Sequence, residues 1–543
     1  MLTRRPASCN RDNTARLGLG GPPALGGWRY SLHVGTWGAV KGAAGPAKAE
    51  TGPHRRKLAW QSVFAAAVAK VAFQLCTANF YGAHRDEFYY LASGRHFAWG
   101  YVDNPPLVPW LYRFQEILFG HSVLALAVIP ALLGGLYVVI AAWMTADVGG
   151  GSHAQGLAVA VAWLAPLYLT TSHFLSTVSL DVFWWALASW LVIRLVRSGD
   201  TRLWVAVGAV VGAGLMTKDA ILFWVLAAGV GLLTTPQRRL LVSRWLLVGA
   251  VLAGVIAAPN IAWQVANHWP TLQFLHNLRV ENASSDLPQF VPLQLASETV
   301  AGTVVWVAAL VALRRRPEWL EQRWLAHGYA ICFVVLFALG GKAYYLGSWY
   351  LPLVALGAAS IEAAWPTGRR RILLASIVAT GALTAPLFTP VLPATVAVSA
   401  GFTSLNKDLG GMLGWPHVVG EISKVFHSIP PDQQRSAVIF TADYSEAGAV
   451  DFYGPGLGLP QAISGHNTFW LWGYGHPAPG ATVIAVGVPP SLVHRYWSSV
   501  ALVATLGADH VPIDPQEQGA PVWICRGQRL PWPVLWPAVR HYN

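Results

Sequence analysis

The sequence predicts a polytopic α-helical membrane protein of about eleven transmembrane helices, followed by a small C-terminal α/β domain outside the membrane. Three observations lead there. Only 11% of the 543 residues are charged and 54% are hydrophobic, whereas a soluble domain carries roughly 25% charged residues. Apolar runs of about 17–22 residues recur along the chain, the length that crosses a bilayer as a helix. Basic clusters fall on alternate loops between those runs, as the preference of Lys and Arg for the cytoplasmic side requires.

Taken in order, residues 1–57 hold ten Lys/Arg against two acids and are rich in Gly, Pro and Ala. They predict a disordered basic tail facing cytoplasmic lipid. The transmembrane domain is expected over 58–399, with spans at 58–78, 122–145, 154–172, 180–197, 203–217, 219–235, 242–263, 295–313, 325–340, 345–364 and 372–391. Hydrocarbon offers no partner to a free backbone amide, so each span is expected to be helical. Trp60, Trp143, Trp204 and Trp349 stand near run ends, where an amphipathic ring suits the headgroup level.

Orientation follows from Arg55, Arg56 and Lys57 before the first span. The same side receives Arg194–Arg202, Arg238–Arg244, Arg314–Arg323 and Arg369–Arg371, and is read as cytoplasmic. The opposite side receives the first outer loop (79–121), 173–179, the turn at Lys218, 264–294, 341–344 and everything after the last span. Within the first outer loop, 86–118 reads as two interfacial amphipathic helices around a turn at Asp103-Asn104-Pro105-Pro106. Residues 400–543 carry nine acids against seven Lys/Arg and short β-rich runs at Ala437–Thr441, Thr482–Val488 and Val522–Cys525, which predict the extracytoplasmic α/β domain.

Several function classes drop out. Cys9, Cys76, Cys332 and Cys525 are scattered and none has metal-ligand spacing, so no protein-held metal is assigned, although a divalent cation bound through the acids stays open. There is no P-loop, no dinucleotide fingerprint and no feature that calls for nucleic acid.

The remaining polar residues gather on the outer face. Asp86 and Glu87 are adjacent carboxylates just beyond the first span, costly at an interface unless paired or used. One could take a proton from an acceptor hydroxyl while the other orients a partner or a cation; the alternative is a helix start favoured by the dipole. Tyr89 follows them, and Asp103 marks the turn. Asp181 begins a span on the same side, as a site acid or as a helix cap. Lys218 and Lys342 occupy tight outer turns, where snorkelling is common, yet basic residues are least expected on this face. A phosphate needs such point charges, with Tyr344 and Tyr345 placed to hydrogen-bond it. His268 lies in an outer loop with Asn260, Trp263 and Trp269, as a ligand or merely a loop residue.

The string Asp86-Glu-Phe-Tyr-Tyr90 with Gly100-Tyr-Val-Asp103-Asn-Pro-Pro-Leu107 resembles the first outer loop of the protein-mannosyltransferase-like glycosyltransferases (glycosyltransferase family 39, GT-C fold), whose bacterial members include the aminoarabinose transferases of lipid A. Leu180-Asp181, Gly214-Leu-Met-Thr-Lys218, Asn260 to Pro270 and Lys342-Ala-Tyr-Tyr345 with Pro352 continue the likeness in the family's order over about 58–365. The resemblance implies transfer of a sugar from a polyprenyl-phosphate carrier to an envelope glycan, glycolipid or protein acceptor, on the extracytoplasmic face and usually with inversion. It implies Asp86 as the base, Glu87 as its neighbour, Asp181 as the second acid, and Lys218, Lys342 and Tyr345 as carrier-phosphate contacts. Tyr89, Asp103 and His268 then belong to the substrate loops. Residues 400–543 do not resemble the β-trefoil of the eukaryotic mannosyltransferases and point away from a protein acceptor. Two rival readings remain at this stage. A transporter or lipid flippase would place its charges near the midplane, often in repeated halves; an inert anchor would need fewer spans.

Overall fold

The computed structural model describes residues 55–282 and 286–543. The tail expected over 1–57 therefore lies almost wholly outside the described residues, as does Cys9. Cys76, Cys332 and Cys525 are free thiols.

Each of the eleven predicted spans falls on a helix. Four helices among the described residues are long and apolar enough to cross a membrane: Val123–Asp147, Thr177–Ser198, Arg244–Ala266 and Thr367–Phe388. The protein is thus a polytopic membrane protein, but eleven unbroken spans are not seen. The predicted run 154–172 breaks at Pro166, which opens the short helix Pro166–Thr170, because proline cannot donate to the preceding turn. Pro288–Ala296 and Thr299–Arg315 meet at a 95° bend. The run at 345–364 starts as a 3₁₀ segment, Ala343–Trp349, before the helix Tyr350–Ala364.

The basic loops meet as the alternation requires. Asp147 Oδ1, at the end of one helix, lies 2.8 Å from Arg55 Nε, and Asp147 Oδ2 lies 3.9 Å from Arg194 Nε. The start of the first helix, Trp60–Thr77, and the ends of Val128–Asp147 and Thr177–Ser198 therefore share one end of the bundle.

The first outer loop forms two helices, Arg85–Arg95 and Leu107–Phe119, and only the second has an interfacial pattern. Val108, Tyr112 and Gln115 are buried on one face, while Phe114, Ile117, Leu118 and Phe119 are exposed on the other, the arrangement of a helix with one side in lipid. Arg85–Arg95 instead is buried from Glu87 to Gly94. The C-terminal segment covers it: the Phe88 ring packs 5.7 Å from Trp415, 5.4 Å from Phe452 and 5.6 Å from Tyr453.

That segment contains a five-stranded sheet in the order β2-β1-β3-β5-β4. The strands are β1 (Val438–Thr441), β2 (Ala462–Ser464), β3 (Val483–Val486), β4 (Trp497–Thr505) and β5 (Pro521–Gln528). β1 pairs in parallel with β2 and β3, and β5 runs antiparallel to β3 and β4. β1, β3 and β5 fall on the predicted runs. β2 has three residues, and β4 is an exposed edge strand whose register shifts between Leu502 and Ala504, so neither carries a clean alternation. One hydrophobic core continues from the membrane helices through Phe88–Ala92 into Trp415, Ile422 and Ile439.

Gly100 shows how closely the outer loops are packed. A Cβ there would lie 2.6 Å from both Asn260 Nδ2 and Trp263 Cε3. Gly100→Ala is expected to destabilise the protein by about 1–3 kcal/mol, the cost typical of overpacking, read as a lowered thermal midpoint in detergent; an unchanged midpoint would mean that this contact is not tight.

Candidate active site

The helix Arg85–Arg95 starts from a reciprocal cap. His84 Nδ1 accepts from the Asp86 amide at 3.2 Å, and Glu87 Oε2 accepts from the His84 amide at 2.7 Å. This satisfies two otherwise orphaned donors and turns the adjacent acids in different directions. Glu87 points inward, where Tyr112 Oη donates to Oε1 at 2.9 Å. Burial pushes its carboxyl up to about 7 against the hydrogen bonds that favour ionisation. Asp86 stays partly exposed, and its Oδ1 accepts from Tyr444 Oη at 3.0 Å.

The Glu87 shift fixes a sign. A folded-state pKa above the ordinary carboxyl value stabilises the fold below that ordinary value, and the contribution disappears as pH rises through about 7. Glu87→Gln, which keeps the acceptor oxygen, is expected to flatten the fall in thermal midpoint between pH 5 and pH 8; an unchanged slope would exonerate Glu87.

Asp103 is half-buried at the turn and accepts a short hydrogen bond from Tyr89 Oη, which also lies 2.6 Å from Thr468 Oγ1. Burial raises the Asp103 carboxyl to about 6, with a smaller push from the Asp86 charge. Tyr90, on the same helix as Tyr89, is buried with its ring stacked on Tyr112, centres 5.8 Å apart.

On the basic side, Lys218 Nζ lies 4.5 Å from the centre of the Tyr345 ring and 5.4 Å from that of Tyr344. Lys342 Nζ lies 6.0 Å from the Tyr344 ring. The Lys218 charge also acts on Asp181. Asp181 is not the cap left open by the sequence: Ser176 caps the helix Thr177–Ser198, and Asp181 sits a turn inside, buried and accepting from Trp185 Nε1 at 2.9 Å.

Hydrogen bonds tie the segments together. The Leu107 amide donates to Met216 O at 2.9 Å, and Trp184 Nε1 donates to Thr217 Oγ1 at 2.9 Å. Asn260 Nδ2 reaches Trp99 O at 2.9 Å, and Thr271 Oγ1 reaches Val102 O at 2.8 Å. His268 is not brought in: it is exposed at a positive φ of 61° beside Trp269 at 56°, in the tight reversal after the helix Arg244–Ala266. Among the described residues, His417, Glu421 and Asp509 offer ligand atoms within 4.8 Å of one another; the predicted site acids form no such group.

The C-terminal segment supplies residues that sequence reasoning missed. Tyr444 follows β1, while His466 and Thr468 follow β2. His466 Nδ1 lies 3.2 Å from Asp443 Oδ2, and the Tyr444 ring packs 4.6 Å from Tyr89 and 4.8 Å from His466. Burial alone would raise Asp443, but its bonds to His466 and Ser445 bring it down to about 2, and the same pairing raises His466. The available signal was positional: carboxyl ends of parallel strands are where α/β sheets present functional groups, and Asp443-Tyr444 and His466-Asn467-Thr468 stand there.

The family model described as dolichyl-phosphate-mannose-protein mannosyltransferase matches residues 103–263. The chain is 26% identical over 339 residues to a lipid A galacturonosyltransferase of Rhizobium johnstonii, covering 60% of this chain and 70% of that protein. The chain is a glycosyltransferase, similar over residues 103–263 to the protein-mannosyltransferase family. The transferase is also 25% identical over 293 residues to the undecaprenyl phosphate-α-4-amino-4-deoxy-L-arabinose arabinosyl transferase 1 of Pseudomonas fluorescens, covering 50% of this chain and 52% of that one. Its fold matches the crystal structure of ArnT from Cupriavidus metallidurans bound to undecaprenyl phosphate, with a TM-score of 0.55 at 16% identity, over 86% of this chain and 97% of that one.

Proposed function

We propose that the protein transfers a sugar from a polyprenyl-phosphate carrier to a cell-envelope acceptor on the extracytoplasmic face, with inversion. The observation that carries this reading is the hydrogen bond from the Leu107 amide to Met216 O, which ties the outer loop holding Asp86 and Asp103 to the turn where Lys218 lies over the Tyr344 and Tyr345 rings. An acceptor hydroxyl or amine attacks the anomeric carbon, and its proton passes to the Asp86 carboxylate. The bond from the anomeric carbon to the phosphate oxygen breaks, and the carrier phosphate leaves as an anion beside Lys218, Lys342 and Tyr345. That leaving group is stable without protonation, so one base and a cationic cradle suffice. Asp181, held by Trp185 Nε1, serves as the second acid of the site. Glu87 holds the helix start that aims Asp86, and Tyr89 and Asp103 shape the acceptor side, with Thr468 behind them. His268 takes part only as an exposed loop residue. A divalent cation would find its anionic partners in Asp86 and Asp103.

The two relatives whose names specify lipid A or an undecaprenyl-phosphate sugar support a glycolipid acceptor and a polyprenyl carrier. The basic loops support a cytoplasmic N-terminal side, with the site and the α/β segment 400–543 on the extracytoplasmic side. Incubating the purified protein with radiolabelled polyprenyl-phosphate sugars and envelope extracts tests the reading. Label should pass to an extract component as free polyprenyl phosphate accumulates; a carrier-linked sugar that is never consumed, across the panel, overturns it.

Tyr444 acts as a positioning residue. Tyr444→Phe removes the hydroxyl that holds Asp86 and leaves the ring packing. About a tenfold drop in kcat with an unchanged donor KM is expected, the worth of one hydrogen bond to a charged group. Wild-type kcat in Tyr444→Phe would free Asp86 from that contact.

A further inference from the structure

Two recesses outside the reaction centre share one aromatic ridge. The His96 imidazole stacks on the Trp472 indole with ring centres 4.1 Å apart at 13°. On one side of the ridge lies a cavity of about 460 Å³ against the sheet, lined by Arg435, Gln461, Asp451 and His476. On the other lies one of about 360 Å³, lined by Phe97, Trp263, Asn267 and Thr468. Both volumes fall in the range of about 300–1,000 Å³ usual for ligand pockets.

The larger recess has the chemistry of a sugar site. The His96–Trp472 ridge offers aromatic surface against which a pyranose ring can lie, and Gln461 and Ser436 offer hydrogen-bonding groups around it. Arg435 is exposed, and no carboxylate of the described residues pairs with it. An unpaired guanidinium at a concave surface presents a planar fork suited to a carboxylate or a phosphate. Asp451, the acid of this lining, is engaged within the fold, its Oδ1 accepting from the Ala462 amide at 2.9 Å, which leaves the Arg435 guanidinium as the charged group of the lining presented to a ligand.

The smaller recess connects this surface to the reaction centre. Thr468 forms part of its wall, and the Thr468 hydroxyl touches Tyr89, which bonds Asp103. Two side chains thus separate the ridge from the acids.

We propose that the recess at Arg435, Gln461 and the His96–Trp472 ridge binds an anionic saccharide, a sugar bearing a phosphate or a carboxylate. On the transfer reading above, on which this role rests, the sugar is a unit of the acceptor other than the one that receives the glycosyl group. The site then selects acceptors by their charge, at a distance from the bond being made.

Saturation-transfer NMR on the full-length protein in detergent tests this, with N-acetylglucosamine 6-phosphate, galacturonic acid and uncharged N-acetylglucosamine as probes. At least one anion should bind wild type, and Arg435→Gln, at an exposed position, should weaken it about tenfold, the factor equivalent to 1.4 kcal/mol. Trp472→Ala should remove the ring-proton signals of the bound sugar. Binding of the phosphate alone or the carboxylate alone identifies the anion. Uncharged N-acetylglucosamine binding as well as the anions, or anions binding Arg435→Gln unchanged, overturns the proposal. Carrier-sugar consumption measured on the same preparations tests the transfer reading separately, since saccharide binding does not depend on it.

Discussion

Asp86→Asn is expected to lower sugar transfer by about 10²–10⁴-fold, the usual contribution of a positioned general base, while the protein still inserts and melts at the wild-type temperature. The carboxamide oxygen can still accept from Tyr444 Oη, and the backbone amide of residue 86 still donates to His84, so the helix start survives. What disappears is the ability to hold the proton released by the acceptor. Asp103→Asn is the necessary companion. Asp103 feels the charge of Asp86, and burial raises its carboxyl to about 6, so its contribution has to be separated from that of Asp86. If Asp86 is the base, Asp103→Asn reduces transfer far less than Asp86→Asn. The measurement is label transfer from carrier to acceptor under single-turnover conditions. Full activity of Asp86→Asn removes this residue from the chemistry, and a reversed ranking moves the role to Asp103.

The uneven legibility of this site has physical causes. The helices were readable because the bilayer demands long apolar runs. Their interruptions were less so: the break at Pro166 and the 95° bend before Thr299 occur inside runs that remain apolar throughout. Hydropathy registers apolarity, not straightness. Asp86 and Lys218 stand out in the sequence because charge is expensive near hydrocarbon. The opposite orientations of Asp86 and Glu87 do not, because they depend on a cap that places the third helical residue back toward His84. Tyr444, His466 and Thr468 were invisible for another reason. They are common polar residues; Tyr444 and Thr468 stand more than 350 positions from Asp86 and Tyr89, and His466 meets Asp443 across the sheet's carboxyl end, so only the fold of that segment over the helix Arg85–Arg95 assembles them. Lys70 is the converse case: a lysine within the first span, fully buried, whose Nζ donates to Trp163 O at 2.8 Å, where hydropathy shows only one charge in an apolar run.

Lys218→Gln is the second large effect expected, a loss of about 10²–10³-fold in kcat, the scale seen when one preorganised group that stabilises developing charge is removed. The ammonium is held in place before substrate arrives. Tyr345 and Tyr344 present their faces at 4.5 and 5.4 Å, and the turn is anchored through Met216 and Thr217. As the bond to the carrier breaks, negative charge accumulates on the phosphate, so an ammonium fixed nearby is worth more in the transition state than in the ground state. The consequence is a split between the kinetic constants: Lys218→Gln should depress kcat much more than it raises the donor KM. Lys342→Gln should do the opposite, because Lys342 Nζ stands further out, 6.0 Å from the Tyr344 ring, where it meets the intact donor as well as the departing phosphate. Lys218→Arg tests the geometry. A guanidinium keeps the charge but changes its shape and reach, so partial recovery is expected if charge dominates, and none if the point position of the ammonium matters. A Lys218→Gln enzyme that kept its kcat and lost only donor affinity would assign this lysine to holding the carrier rather than to the bond-breaking step.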